Sequence, residues 1–458
     1  MALIKSISGI RGTIGGRPGE NLTPLDIVKF SAAYGTWVKR KSASPLKVVL
    51  GRDARKSGTE IALLVSTTLR RLGITVVDLG LATTPTVELA VVGLSASGGV
   101  IITASHNPGE WNALKLLNGK GEFLSVSDGN EVLAIAENED YCFVGIGEEG
   151  DYVEDSGWNR KHIDQVVGMR LVDRQAIAEA QLTVALDCIN SVGGIILPDL
   201  LTSLGVKKIV GINMEPDGAF AHNPEPLPEN LYDIMDKVVE EKADVAFVVD
   251  PDVDRLAIVC EDGSFFGEEY TLVAVADYVL GHTKGNTVSN MSSTMALGVV
   301  AKAHGCDYFS APVGEVNVVA EMKLRNAVIG GEGNGGIIYP ESHYGRDALV
   351  GIALFLSHLV KSGKRCSELR STYPDFFISK NRVTLDAEAD FDLIKQKVKS
   401  HFKGAKSDER DGLKIEFEDS WIHIRKSNTE PIIRIYTEGV NEKEATALAS
   451  QVITIVKN

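Results

Sequence analysis

Cysteine is scarce and unpaired in this sequence. The five residues, Cys142, Cys188, Cys260, Cys306 and Cys366, are odd in number and contain no C-x-x-C spacing, which argues against a disulfide framework and fits reduced thiols in a cytoplasm. Long apolar runs are missing as well. No uncharged stretch approaches the ~20 residues of a membrane span, and the start, Met1 to Gly12, carries no apolar core of signal-peptide length. Positive charge is in deficit: Lys+Arg 47 stand against Asp+Glu 62, a formal charge of -15, with no long Lys/Arg run. That leaves no nonspecific grip on nucleic acid or an anionic membrane, and any anionic ligand has to be met by cations gathered locally. A cytoplasmic protein without nucleic-acid or membrane partners is expected. The remainder is ordinary for a folded chain: 458 residues, 44% hydrophobic and 24% charged, enough for roughly two to four domains.

Strand and helix patterns alternate. Leu46 to Leu50 is β-rich, Glu60 to Leu72 reads as an amphipathic helix closed by Gly73, and Ile74 to Leu79 starts the next strand. The cadence returns at Leu182 to Asp187, with a Gly193-Gly194 turn, a helix over Ile195 to Leu204 and a strand at Lys207 to Gly211. It returns again at Asn286 to Ser289, Met295 to His304 and Tyr308-Phe309. Three units of one grammar predict three related α/β domains. After Pro374 the pattern predicts antiparallel strands with helices on one face, at Lys380 to Leu385, Phe391 to Phe402, Leu413 to Phe417, Trp421 to Arg425, Ile432 to Tyr436 and Glu442 to Val456. The expected division is 1–157, 158–258 and 259–372 for the α/β domains and 373–458 for a C-terminal α+β domain. The acidic, glycine-bearing segment Glu148 to Gly157 serves as the first linker.

Four stretches carry chemistry. Thr103-Ala-Ser105-His106-Asn-Pro108 follows a buried-looking strand and predicts a serine exposed on a turn. A hydrolase triad is excluded, since no G-x-S-x-G surrounds Ser105 and adjacent Ser and His side chains do not easily pair as nucleophile and base. Asp250-Pro-Asp252-Val-Asp254-Arg255 follows an apolar strand. Three carboxylates at alternate positions call for a hard cation, and few protein oxygens with open positions suit Mg²⁺. An EF-hand is excluded, because its obligatory glycine is Arg255 and strands flank the loop. Gly331-Glu332-Gly-Asn334-Gly-Gly336 contains G-x-G-x-x-G but leads into a strand and not a helix, so no dinucleotide site forms. It presents Glu332 and Asn334, groups suited to sugar hydroxyls. Arg425-Lys-Ser427-Asn428-Thr429-Glu-Pro431, with Arg434 beyond it, has the make-up of a phosphate cradle.

These four motifs, in this order over nearly the whole chain, resemble the α-D-phosphohexomutase superfamily, as do Gly9-Ile-Arg11-Gly12, Gly51-Arg-Asp53-Ala-Arg55, Pro216-Asp-Gly-Ala-Phe220 and Val313-Gly-Glu315. The resemblance implies four domains around a central cleft, three mixed α/β domains plus an α+β one, each giving one loop. It implies an isomerase that interconverts hexose 6-phosphate and hexose 1-phosphate through phosphorylated Ser105 and a bound sugar bisphosphate, which also serves as activator. One Mg²⁺ would sit on Ser105, Asp250, Asp252 and Asp254. Lys115 and Arg11 would assist at the reacting oxygen, Lys115 as a base only with its pKa lowered. Glu332, Asn334, Arg255 and His106 would bind the sugar, and Arg425, Ser427, Asn428, Thr429 and Arg434 the second phosphate. Arg11, Arg255, Arg425, Arg434, Lys115 and Arg346 would then gather in one cleft.

The sequence departs from the family pattern at Gly336, where many members have a histidine proposed as acid or base; His343 is a candidate to replace it. The form Gly-Glu-Gly-Asn-Gly-Gly resembles a subgroup with archaeal-type phosphoglucosamine and phosphomannose mutases. Glucosamine phosphate is the expected sugar, since the Glu332 carboxylate could meet an ammonium group, with glucose or mannose phosphate as the alternative. Two other classes compete: a metal-dependent sugar phosphatase using the Asp250 cluster, and a non-catalytic sugar-phosphate-binding protein.

Overall fold

The computed structural model describes residues 3–6, 9–43, 45–384, 390–426 and 432–457. The chain forms two compact units, one of Met1–Thr271 with Asn334–Leu369 and one of Leu272–Gly333 with Arg370–Asn458.

The first unit opens with β1 (Ile4–Ser6), β2 (Gly9–Thr13), β3 (Lys47–Arg52), β4 (Thr75–Leu81), β5 (Gly98–Ile102), β6 (Trp111–Asn118) and β7 (Tyr152–Glu154), in the sheet order β1-β2-β6-β5-β3-β4-β7. Strand β3 lies parallel to both β4 and β5. Successive residues of β3 feed opposite faces, because side chains alternate along a strand. Val48 and Leu50 pack with helices Pro24–Lys41, Gly58–Arg70 and Val126–Glu137, while Val49 packs with helix Thr84–Gly93 and Trp158. The result is three layers, helix, sheet, helix. The segment expected as the first linker contains β7, three exposed residues that pair in parallel with β4 at the sheet edge. An edge strand needs only backbone partners, so no apolar pattern announced it.

A second sheet, in the order β11-β10-β8-β9, is built from β8 (Thr183–Asp187), β9 (Lys208–Ile212), β10 (Val245–Val249) and β11 (Leu256–Cys260). Gly193 and Gly194, expected as a turn, instead open helix Gly193–Leu204; a Cβ at Gly194 would stand 1.9 Å from the Met214 carbonyl oxygen. Strand β10 is buried at every position, and Phe247 meets Phe355 edge-on at 6.0 Å. The loop that leaves its C-terminal end therefore starts from a rigid support.

In the second unit β12 (Asn286–Asn290) lies parallel to both β13 (Tyr308–Ala311) and β14 (Ala327–Glu332). The next strand, β15 (Gly336–Ile338), belongs to the first unit. The C-terminal sheet is antiparallel, with order β16-β20-β19-β18-β17, from β16 (Phe377–Thr384), β17 (Lys406–Asp408), β18 (Leu413–Glu416), β19 (Trp421–Lys426) and β20 (Ile432–Gly439). Val383, Ile422, Ile424, Ile433 and Ile435 cluster with Ile394, Val398 and Val452 of helices Phe391–His401 and Glu442–Lys457. One face is thus apolar and covered by helices, as the sequence pattern predicts. No helix among the described residues is long and apolar enough to cross a membrane.

Candidate active site

Ser105 follows β5 in a left-handed conformation, φ 49°, which costs a non-glycine residue about 1–2 kcal/mol and persists only where its surroundings fix it. Three residues do so. The Thr103 hydroxyl accepts the Ser105 N–H at 2.9 Å and donates to Asp53 at 2.6 Å. Arg55 pairs with Asp53 at 3.0 Å and donates to the carbonyls of Ser105, Asn107, Pro108 and Trp111. Both Arg55 and Asp53 are fully buried as side chains, so one guanidinium satisfies four backbone acceptors of the serine loop. Burial pushes the Asp53 carboxyl upward, and Arg55 opposes it.

The serine is buried, only 3% exposed, where the sequence predicted an exposed turn. The reason is a loop distant in sequence: the Ser105 hydroxyl donates to Asp250 Oδ2 at 2.7 Å. Asp250, Asp252 and Asp254 leave the end of β10 and are all fully buried. Their ligand oxygens lie within 4.8 Å of one another. Val253 makes the bend at φ 61°, a rare conformation for a β-branched residue. Asp250 Oδ1 accepts the N–H groups of Asp254 and Arg255, both at 3.2 Å.

The cluster is surrounded by cations. Lys115, on β6, donates to Asp252 at 2.6 Å and lies 3.4 Å from Asp254. Arg346 donates to Asp254 Oδ2 at 2.6 Å, and Thr84 to Asp252 Oδ2 at 2.6 Å. Burial, then the Asp254 and Asp252 charges, push Asp250 well above the usual carboxylate range. Burial acts the same way on Asp252, but Lys115 and the bonds from Lys115 and Thr84 outweigh it and hold that carboxyl below the range. Lys115, expected as a base only with its pKa lowered, is instead raised: burial disfavours its charge, and Asp252 and Asp254 more than compensate, so it stands here as a cation and not as a base. Asp252 Oδ1 and Asp254 Oδ1 are buried without a hydrogen-bond partner. Unpartnered carboxylate oxygens converging at one point fit a small divalent cation.

Arg11 donates to Asn107 Oδ1 at 2.8 Å, and Arg255 stands 3.6 Å from Glu225 with its Nε buried and unpartnered. His106 Nδ1 lies 3.4 Å from the Ser105 hydroxyl, and burial together with Arg255, Arg11 and Arg346 keeps its imidazole neutral, far below its ordinary pKa. Ser105, His106, Arg11, Lys115, the three aspartates, Arg255 and Arg346 therefore form one constellation in the first unit.

The glycine-rich loop divides between the units. Glu332 ends β14 and its Oε1 accepts from Asn290 at 3.0 Å and from the Gly314 N–H at 3.1 Å. Asn334 accepts the Gly336 N–H at 3.2 Å. A Cβ at Gly336 would stand 2.3 Å from Arg346 Cδ, so the missing side chain makes room for the arginine that reaches Asp254. His343 does not take over as a free acid or base: its Nε2 lies 3.1 Å from Asp347 and its Nδ1 3.1 Å from Glu88. Burial opposes the imidazolium, but those two carboxylates push it up to about 10. Asp347 also pairs with His162 at 2.9 Å and caps helix Ala348–Ser362. Arg425 and Arg434 are cross-strand partners on β19 and β20. Ser427, Asn428 and Thr429 lie outside the described residues.

Comparison with known proteins gives the class. Four successive domain models match the chain: Phosphoglucomutase/phosphomannomutase alpha/beta/alpha domains I, II and III at residues 3–142, 160–263 and 267–376, and the C-terminal domain at 387–455. The chain belongs to the phosphoglucomutase/phosphomannomutase family, a family of phosphohexomutases, which are isomerase-type phosphotransferases. Among its relatives, the "Phosphoglucomutase/phosphomannomutase" of Thermococcus kodakarensis is 35% identical over 95% of both chains. The "Probable phosphoglucosamine mutase" of Methanopyrus kandleri is 31% identical over 98% of this chain and 97% of its own. A crystal structure of a phosphoglucomutase/phosphomannomutase family protein from Burkholderia thailandensis shares the fold, with TM-score 0.84 and 24% identity over 99% of this chain and 98% of its own.

Replacing Arg55 by Ala leaves Asp53 buried and unpaired and is expected to cost about 3–5 kcal/mol, read as a lowered midpoint in urea denaturation; a change under about 0.5 kcal/mol would show that the loop does not depend on it. For His343 the folded pKa is raised, so its stabilisation is fully present below the ordinary imidazole value and is lost as pH rises toward about 10. The stability difference between wild type and His343→Gln should therefore be largest near pH 6 and vanish toward pH 10; a difference constant over that range would contradict the assignment.

Proposed function

We propose that this protein interconverts hexose 6-phosphate and hexose 1-phosphate through phosphorylated Ser105, with glucosamine phosphate as the preferred sugar. The observation that carries the reading is the Ser105 hydroxyl 2.7 Å from Asp250, inside a buried acidic cluster ringed by Lys115, Arg255 and Arg346. A plain turn does not bury three carboxylates with two oxygens unpartnered.

Phosphorylated Ser105 gives its phosphoryl group to a free hydroxyl of the sugar monophosphate: the serine O–P bond breaks, an O–P bond to the sugar oxygen forms, and the hydroxyl proton passes to the neutral His106 imidazole beside the serine, while Lys115, raised and therefore charged, supports the reacting oxygen. The resulting bisphosphate reorients, and its other phosphate returns to Ser105; the same bisphosphate, added from outside, would load an unphosphorylated serine. Asp250, Asp252 and Asp254, with the serine phosphate, would hold Mg²⁺. When bound, the ion offsets the negative charge that accumulates as the phosphoryl group moves. Arg11 and Arg255, with His106 as a neutral hydrogen-bonding group, orient the sugar phosphate, as do Glu332 and Asn334 at the hydroxyls. Arg425 and Arg434, with Ser427, Asn428 and Thr429, would bind the phosphate that is not reacting.

The amino-sugar preference is supported by the Glu332 carboxylate and by relatives named for glucosamine phosphate at 30–32% identity. The 35% identical relative named for glucose and mannose phosphates supports the alternative. Coupled assays with glucosamine, glucose and mannose 1-phosphates should give fastest turnover on the first, and faster turnover of glucose 1-phosphate would reverse the order. Intact mass should show one phosphoryl group that is absent in Ser105→Ala; its presence in that variant would refute the serine's role, and stoichiometric release of free phosphate without isomer would indicate a phosphatase.

A further inference from the structure

The C-terminal sheet carries an arginine that no motif identified. Arg382 of β16 is in register with Arg434 of β20, and Arg434 is in register with Arg425 of β19. Directly paired residues of adjacent antiparallel strands share a face, with Cβ atoms about 4.5–5.5 Å apart. The neighbours Val383, Ile433, Ile435 and Ile424 all belong to the helix-covered core, so the three arginines stand in one row on the opposite face, which is buried at its Trp421, His423 and Glu438 end, where Ser292 and Met295 bond to it, and opens toward Arg382.

Such a row is unfavourable by itself, because like charges directly opposite destabilise a sheet. Several arginines elsewhere in this acidic chain, though not all, are neutralised: Arg40, Arg160, Arg325 and Arg410 each lie within 2.8 Å of a carboxylate. In the row only Arg425 has such a neighbour, Asp411 at 3.7 Å from Nε, beyond hydrogen-bond distance. Among the described residues Arg382 and Arg434 have no ion pair. Arg382 is exposed and the other two are half-buried, a gradient that opens the row to solvent at the β16 end. The residue also lies between the ranges of the third and fourth domain models, 267–376 and 387–455.

We propose that Arg382 is a third phosphate-binding arginine, completing with Arg425 and Arg434 a site for a phosphomonoester dianion. Two charges on one group are better matched by three guanidiniums than by two, since forked N–H donors can share its three free oxygens. The proposal rests on the mutase reading for the identity of the ligand, a sugar phosphate, but not for the binding of phosphate itself.

Isothermal titration of the full chain with inorganic phosphate tests it without turnover. Arg382→Ala should raise the phosphate Kd about ten-fold, Arg382→Lys should fall between it and wild type, and Arg425→Ala identifies the isotherm that belongs to this sheet. Because a repulsion is removed, the melting temperature of Arg382→Ala without phosphate should equal or exceed that of wild type. Steady-state kinetics on the sugar phosphate should show KM raised by a similar factor with kcat little changed. An unchanged phosphate Kd in Arg382→Ala overturns the proposal, and so does a melting temperature that drops without phosphate, which would mark Arg382 as structural. Wild type that forms no isomer sinks the mutase reading alone and leaves the phosphate titration decisive for the row.

Discussion

Three carboxylates fixed at one buried point are the constraint on which the first unit depends. Asp250, Asp252 and Asp254 cannot all remain charged out of water without positive charge beside them, and the fold supplies it from separate elements: Lys115 from β6, Arg346 from beyond the glycine-rich loop, Arg255 from the next position in the chain. The same need explains a glycine. Arg346 reaches Asp254 across the place where a side chain at Gly336 would stand, so the residue type at 336 follows from electrostatics at a carboxylate far away in sequence.

The acidic cluster also determines what the serine can be. Ser105 is strained by its positive φ, locked by Thr103 and by the Asp53–Arg55 pair, and directed at Asp250. In the proposed reaction a serine that carries a phosphate, passes it on and recovers it would gain from being held in one geometry, because orientation replaces entropy that would otherwise be lost in the transition state. The same burial limits access of water to the serine, which in the proposed reaction would protect its phosphoryl group from hydrolysis.

The three repeated βαβ units, the antiparallel C-terminal sheet and the acidic loop were legible because each is written in contiguous residues: Leu46 to Leu79, Trp421 to Tyr436, Asp250 to Arg255. What escaped depends on contacts between distant segments. Ser105 reads as an exposed turn until the Asp250 loop is laid over it. Arg55 lies in a recognisable Asp53-Ala-Arg55 segment, yet nothing local says that its guanidinium caps four carbonyls between Ser105 and Trp111. His343 is a plausible acid or base by position and is instead held between Glu88 and Asp347. Arg382 enters only through strand register, which the sequence pattern leaves open.

The net charge of -15 thus coexists with a local reversal at the first-unit site. Four cations, Arg11, Lys115, Arg255 and Arg346, serve three aspartates there, and two carboxylate oxygens remain without partners. A site in that condition should take up one small divalent ion. The most direct test is a Mn²⁺ titration of the full chain followed by electron paramagnetic resonance, alongside the Asp250→Asn, Asp252→Asn, Asp254→Asn triple variant. One ion bound per wild-type chain and none in the variant is the predicted result; equal uptake by both, or none by either, would contradict the account.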